Sequence, residues 1–180
     1  MQTEVKPTVL IVDDAPDNLM LIKMLLQNKY RVKLALNGEI ALRAAGQLPL
    51  PELILLDVMM PEMDGYEVCR KLKANPLTAD IPVLFLTAKN HLDDQRRGFQ
   101  EGALDYVTKP IDPEVLQARV ATHLQLRALR MQMREQAMNV DQMVEERTAE
   151  LRESEARFQR FTELSSDWYW EQDAAGSLVR

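Results

Sequence analysis

Polar residues with chemical potential stand at the ends of short apolar runs. Asp13 and Asp14 follow Val9-Leu10-Ile11-Val12, and Asp57 closes Leu53-Ile54-Leu55-Leu56. Thr87 and Ala88 follow Val83-Leu84-Phe85-Leu86, and Lys109-Pro110 comes shortly after Asp105-Tyr106-Val107. Three carboxylates gathered in one place repel. At an effective dielectric of ~20, two unit charges ~4 Å apart interact by about 4 kcal/mol. Unaided, one acid would keep its proton. A divalent cation together with the Lys109 ammonium brings the charge sum to zero. Mg²⁺ suits such a cluster, because it takes oxygen ligands, keeps several waters and bridges carboxylate to phosphate.

Singly, each residue has an ordinary explanation. Asp13-Asp14 could cap a helix, Thr87 could be a loop hydroxyl and Lys109 a surface lysine. Their joint meaning depends on the elements that carry them. Thr8–Val12, Arg31–Ala35, Leu53–Leu56, Pro82–Leu86 and Asp105–Val107 read as strands, mostly apolar throughout. Between them lie helical segments. Pro16 opens the first, with Leu19, Met20, Ile22 and Leu26 behind it. Asn37-Gly38 turns into the second, which carries Ile40, Ala41, Ala44 and Ala45. Tyr66–Ala74 is the third, and Leu92–Glu101 the fourth, stopped by Gly102. Asp112 caps a fifth, with Pro113 at its first position. Five strand–helix units predict a doubly wound α/β fold with a parallel sheet covered on both faces. Such sheets bring the carboxyl ends of their strands to one edge, so the acids, Thr87 and Lys109 can converge.

Beyond Pro113 the pattern changes. No Pro or Gly occurs from Glu114 to Ala175, and Leu126, Leu129, Met133, Val140, Val144, Leu151 and Phe158 recur at helical spacing. The sevens within it predict a coiled-coil seam, which favours a paired helix and a homodimer over a solitary solvated helix. Arg130, Arg147 and Ser154 interrupt that seam. The final stretch holds both tryptophans, in Asp167-Trp168-Tyr169-Trp170-Glu171, and Asp173-Ala174-Ala175-Gly176-Ser177 reads as a hairpin turn. Some twenty residues cannot bury a core of their own. The reading therefore divides the chain into 1–124, a helical connector over 125–158, and the truncated start of another domain over 159–180.

Composition narrows the function classes. At 180 residues the chain allows one domain of ordinary size plus a remainder. A net charge of −6 without a basic patch argues against direct nucleic-acid binding. The single Cys69 excludes an internal disulfide and fits a reducing compartment. No signal-peptide core and no stretch near the ~20 apolar residues of a membrane span are present, so a cytoplasmic protein is expected. His91 and His123 lie in helical contexts without an acidic partner motif, and neither is read as a phosphodonor. Cys69 and most methionines read as packing residues.

Taken together, Val-Asp-Asp (12–14), Leu-Leu-Asp-Val-Met-Met-Pro-Glu-Met-Asp-Gly (55–65), Leu-Thr-Ala (86–88) and Tyr-Val-Thr-Lys-Pro (106–110) resemble the receiver domain of bacterial two-component response regulators. The resemblance runs from about Thr8 to about Leu124. It implies a flavodoxin-like sheet of strand order 2-1-3-4-5, extended here by a long C-terminal helix. It also implies that Asp57 accepts a phosphoryl group from a sensor histidine kinase or phosphotransfer protein. By resemblance Asp14, Asp57 and the Met59 main-chain carbonyl bind Mg²⁺ directly, and Asp13 binds it mainly through water. Thr87 and Tyr106 would be a switch pair, and Lys109 the phosphoryl-binding cation. A cis Lys109-Pro110 bond would aim that lysine. Met59, where many relatives carry a polar residue, would hinder the hydrolytic water; simple space-filling is the other reading. The tail, Glu155 through Leu178, is similar to the entrance of a PAS domain. The resemblance implies a phosphorelay switch that is not itself an enzyme and that acts through its connector on an output domain. The alternative is a Mg²⁺-dependent phosphatase with an aspartate nucleophile. Such enzymes usually carry a second acid two residues after the first, and here that position is Met59.

Overall fold

The apolar runs become five short parallel strands, and the polar residues behind them fall on one edge of the sheet. The computed structural model describes residues 6–88, 102–166, 171–172 and 178–179. In chain order the elements are β1 Thr8–Val12, α1 Pro16–Leu26, β2 Arg31–Ala35, α2 Gly38–Ala45, β3 Leu53–Asp57, α3 Gly65–Ala74, β4 Val83–Ala88 and β5 Asp105–Lys109. They are followed by α4 Pro113–Ser166, β6 Glu171–Gln172 and β7 Leu178–Val179. The helix expected over Leu92–Glu101, and His91 with it, lies outside the described residues. Strand order is β2-β1-β3-β4-β5, with each adjacent pair parallel. The doubly wound fold and its strand order are therefore as expected.

Alternation along the strands builds two cores. Leu10, Val12, Ile54, Leu56, Val83 and Phe85 face α2 and α3, where they meet Ala41, Ala45, Val68, Cys69 and Leu72. Val9, Ile11, Leu53, Leu55, Leu84, Leu86 and Val107 face the other way, against α1 and the first turns of α4. Most of these side chains are wholly buried. Fully burying one Leu or Ile stabilises by about 1.5–3 kcal/mol, so both faces contribute to holding the edge in register.

Three strands differ in extent from the expected ones, β3 by taking in Asp57. β4 begins after Pro82, which lacks the N–H a ladder needs, while its carbonyl still accepts from the Ile54 amide at 2.9 Å. The strand then runs on through Thr87 and Ala88, which pair with Thr108 and Lys109 of a correspondingly longer β5. Thr87 is thus a strand residue on a rigid frame.

Helix starts follow side-chain chemistry. The Asn37 side chain accepts from the Ile40 amide, Asp64 from Glu67, and Asp112 from Glu114 and Val115. At α1 the capping residue is Ala15, without a side-chain cap. The Asp13-Asp14 pair therefore does not serve as the α1 N-cap. Gly65 opens α3 hard against β3: a Cβ there would sit 2.2 Å from the Asp57 carbonyl oxygen. Only glycine permits that approach.

By contacts the chain parts into residues 1–130 and 131–180. In the first unit Leu116, Val120 and Leu124 of α4 pack on the sheet. Further along, Leu126, Leu129, Met133, Val140, Val144, Leu151 and Phe158 are exposed. In the second unit β6 and β7 pair antiparallel. The intervening residues 173–177, and 167–170 with both tryptophans, lie outside the described residues. Among the described residues no helix is long and apolar enough to cross a membrane.

Candidate functional site

Each site residue owes its position to a strand end. Asp57 is the last residue of β3 and pairs with Leu86 of β4. Asp13 follows β1, its amide held to the Ala35 carbonyl of β2 at 3.2 Å. Lys109 ends β5 and is followed by a cis peptide bond to Pro110. A second cis bond joins Leu48 to Pro49.

Lys109 ties the edge together. Its Nζ lies 2.8 Å from Asp13 Oδ2 and 2.8 Å from Asp57 Oδ2. Asp13 is wholly buried and Asp57 nearly so, whereas Asp14 is exposed. A buried ammonium–carboxylate cluster contributes little net stability after desolvation. Breaking it, by leaving charges unpaired, costs about 3–5 kcal/mol. Burial pushes the Asp57 carboxyl above its ordinary pKa; the Lys109 hydrogen bond and charge pull it back, and the Asp13 charge raises it again. Burial also opposes the charge on Lys109. There, the hydrogen bonds to Asp13 and Asp57 and their two charges outweigh it and hold the ammonium above its ordinary value.

Asp13 is saturated with donors. Its Oδ1 accepts from the Ala15 amide at 2.9 Å and from Asn18 Nδ2 at 2.9 Å. Its Oδ2 accepts from Asn18 Nδ2 at 3.1 Å and from Lys109 Nζ at 2.8 Å. A carboxylate offers about four lone-pair sites, and all are used. Asp57 Oδ1, by contrast, has the Met59 amide at a long 3.4 Å.

One oxygen each from Asp13, Asp14 and Asp57 lie within 4.8 Å of one another, a group that could hold a cation. The donor set is all carboxylate, which fits Mg²⁺ rather than a softer metal. Within that set Asp14 and Asp57 have oxygens to give, whereas the acceptor positions of Asp13 are already taken.

Thr87 stands one residue past Leu86, the strand partner of Asp57. The Thr87 hydroxyl donates to the Ala88 carbonyl at 3.4 Å. Tyr106 is half-buried on β5, against the core shared with α2 and α3. The Met59 side chain is 75% exposed.

Sequence reasoning missed three features. Asn18 gives no signal beyond lying one turn into α1. Gly65 is visible as a loop glycine, but its contact with β3 is not. His123 does have an acidic partner: its Nε2 lies 3.0 Å from Asp105 Oδ2, which also receives the Arg119 guanidinium. The partner is eighteen residues upstream on another element, so no local spacing reveals it.

Residues 9–121 match the family model "Response regulator receiver domain". A Vibrio cholerae protein named "Probable cyclic di-GMP phosphodiesterase" is 50% identical over 118 residues, covering 66% of this chain and 26% of that protein. "Response regulator PleD" of Caulobacter vibrioides is 48% identical over 113 residues, covering 62% and 25%. The chain thus spans about a quarter of the length of these two relatives. Among solved structures, Vibrio cholerae chemotaxis protein CheY4 superposes with a TM-score of 0.62 at 29% identity, covering 65% of this chain and 98% of that one. Receiver domains signal through phosphorylation and interact with histidine kinases and phosphotransfer proteins. The match passes through all five strands of the parallel sheet and ends within α4, so this chain belongs to the response regulator receiver domain family.

Proposed function

We propose that Asp57 is the phosphoacceptor of a phosphorelay switch. A carboxylate oxygen of Asp57 attacks the phosphorus of a phosphohistidine on a partner kinase or phosphotransfer protein. The P–N bond breaks, and its electron pair stays on the imidazole. The observation that carries this reading is the Lys109 ammonium held 2.8 Å from both Asp13 and Asp57 at the carboxyl edge. Such chemistry rests mostly on positioning and charge neutralisation.

Each residue has a part. Lys109 lowers the cost of ionising the buried Asp57 and then binds a phosphoryl oxygen. Asp13, saturated by its donors, anchors Lys109. Asp14, Asp57 and the Met59 carbonyl would hold Mg²⁺, which would supply positive charge to offset the acids and the phosphoryl group. The Thr87 hydroxyl turns from the Ala88 carbonyl to the phosphoryl group, and Tyr106 moves into the space this vacates. Phosphorylation thereby favours one of two arrangements of the β4–β5 face.

Residues 1–124 would be the receiver. Residues 125–158 would be a coiled-coil connector pairing two copies, and 159–180 the beginning of a PAS-like domain leading to an output. The exposed apolar stripe of α4 supports the connector. The receiver itself would turn over no substrate.

The test is intact mass after incubation with acetyl phosphate and Mg²⁺. The whole chain should gain one phosphoryl group, and Asp57→Asn should gain none. Equal gain in both proteins would remove Asp57 from the role.

A further inference from the structure

β5 is the edge strand of the sheet, so among the described residues its far side has no strand neighbour. Asp105 and Tyr106 are consecutive on it and point to opposite faces. Asp105 shares its face with Val107, on the side where α4 packs through Leu116, Val120 and Leu124. Tyr106 faces the other core, where its strand partner is Phe85. Arg119 belongs to α4 yet reaches both residues. Its guanidinium pairs with Asp105 Oδ2 and lies 5.9 Å from the centroid of the Tyr106 ring. That distance is within cation–π range. His123, one helical turn on, meets the same Asp105 oxygen. Reaching round a strand in this way is possible only at an edge.

From this geometry we infer that Arg119 is the positioning residue that carries the Tyr106 ring position to the first turns of α4. The inference rests on the switch role proposed for Tyr106. With the ring where it stands, the guanidinium has two partners, one on each face of the sheet. When the ring turns inward the aromatic contact is lost, and Asp105 alone holds that point of α4. The packing of the helix therefore depends on the ring, although helix and ring lie on opposite faces. Arg119 touches none of the reacting groups, so phosphorylation itself does not require it.

The experiment reads amide hydrogen exchange over residues 113–130 of the whole chain, with and without Mg²⁺ and beryllofluoride as the phosphoryl stand-in. Acetyl phosphate labelling is read in parallel by intact mass. In the wild type, loading should change exchange in this segment by about two-fold or more. Arg119→Gln should label as the wild type does and lose that change. Tyr106→Leu, which leaves the helix sequence untouched, should lose it as well. Asp105→Asn should speed exchange in both states yet keep the loading-dependent difference, which a merely structural role for Arg119 would not predict. A wild-type-sized difference in Arg119→Gln, or no difference in the wild type, overturns the inference. Failure of the wild type to label overturns the proposed function instead, and the mass measurement shows this separately.

Discussion

At the scale of single residues, the site works by assigning each carboxylate oxygen a different occupation. Asp13 spends all its acceptor capacity on Ala15, Asn18 and Lys109. Asp57 keeps one oxygen almost free. Asn18 is therefore as consequential as the acids. In Asn18→Ala the Asp13 carboxylate regains open positions and loses a fixed orientation. Mg²⁺ should bind tighter by a factor of roughly 3–10, while phosphorylation at saturating Mg²⁺ slows by a similar factor because Lys109 is less firmly held. Titration calorimetry and acetyl phosphate kinetics read the two effects. Parallel changes, both up or both down, would count against this division of labour. Met59 makes a second prediction. Its side chain stands exposed two residues after Asp57, where it can shield an acyl phosphate from water. Met59→Asn should speed dephosphorylation several-fold, and an unchanged rate would reduce Met59 to a space-filling role.

At the scale of elements, the join between β5 and α4 is the feature with most at stake. Burial alone would push the Asp105 carboxyl up. Hydrogen bonds from His123, Arg119 and the Tyr106 amide, with the Arg119 charge, outweigh it and hold the pKa below its ordinary value. A carboxyl whose pKa is lower folded than unfolded adds stability above the unfolded value, ~3.9, and loses it as pH falls through the folded value. Asp105→Asn should therefore be less stable than the wild type at neutral pH, by about 1–3 kcal/mol. The gap should close as pH drops below the ordinary carboxylate range. Urea unfolding of both proteins at neutral and strongly acidic pH measures it. A gap that persists in acid would mean packing, not charge, explains the loss.

At the scale of the whole molecule, α4 belongs to the packed unit at its start and exposes an apolar stripe further on. Leu116, Val120 and Leu124 are buried on the sheet, whereas Met133, Val140, Val144, Leu151 and Phe158 are exposed. A helix this polar elsewhere has little intrinsic reason to persist, and pairing with a second copy would cover the stripe. In sedimentation, the whole chain should associate and a chain ending at Leu124 should do so markedly less. Equal association of the two would sink the paired-helix reading.

The primary structure by itself determined the frame. Unbroken apolar runs can be buried only in a sheet covered on both faces, and parallel strands must bring their carboxyl ends together. That physics put Asp13, Asp14, Asp57, Thr87 and Lys109 on one edge. It did not say which oxygen meets which nitrogen, because those contacts join distant parts of the chain: Lys109 and Asp13 are 96 residues apart. Only the tertiary structure decided that Asn18 saturates Asp13, that Gly65 admits the close approach of α3 to β3, and that Arg119 reaches round the β5 edge. Local periodicity reports which face of an element is buried. The partners of a polar side chain depend on how finished elements stack, and no spacing rule encodes that.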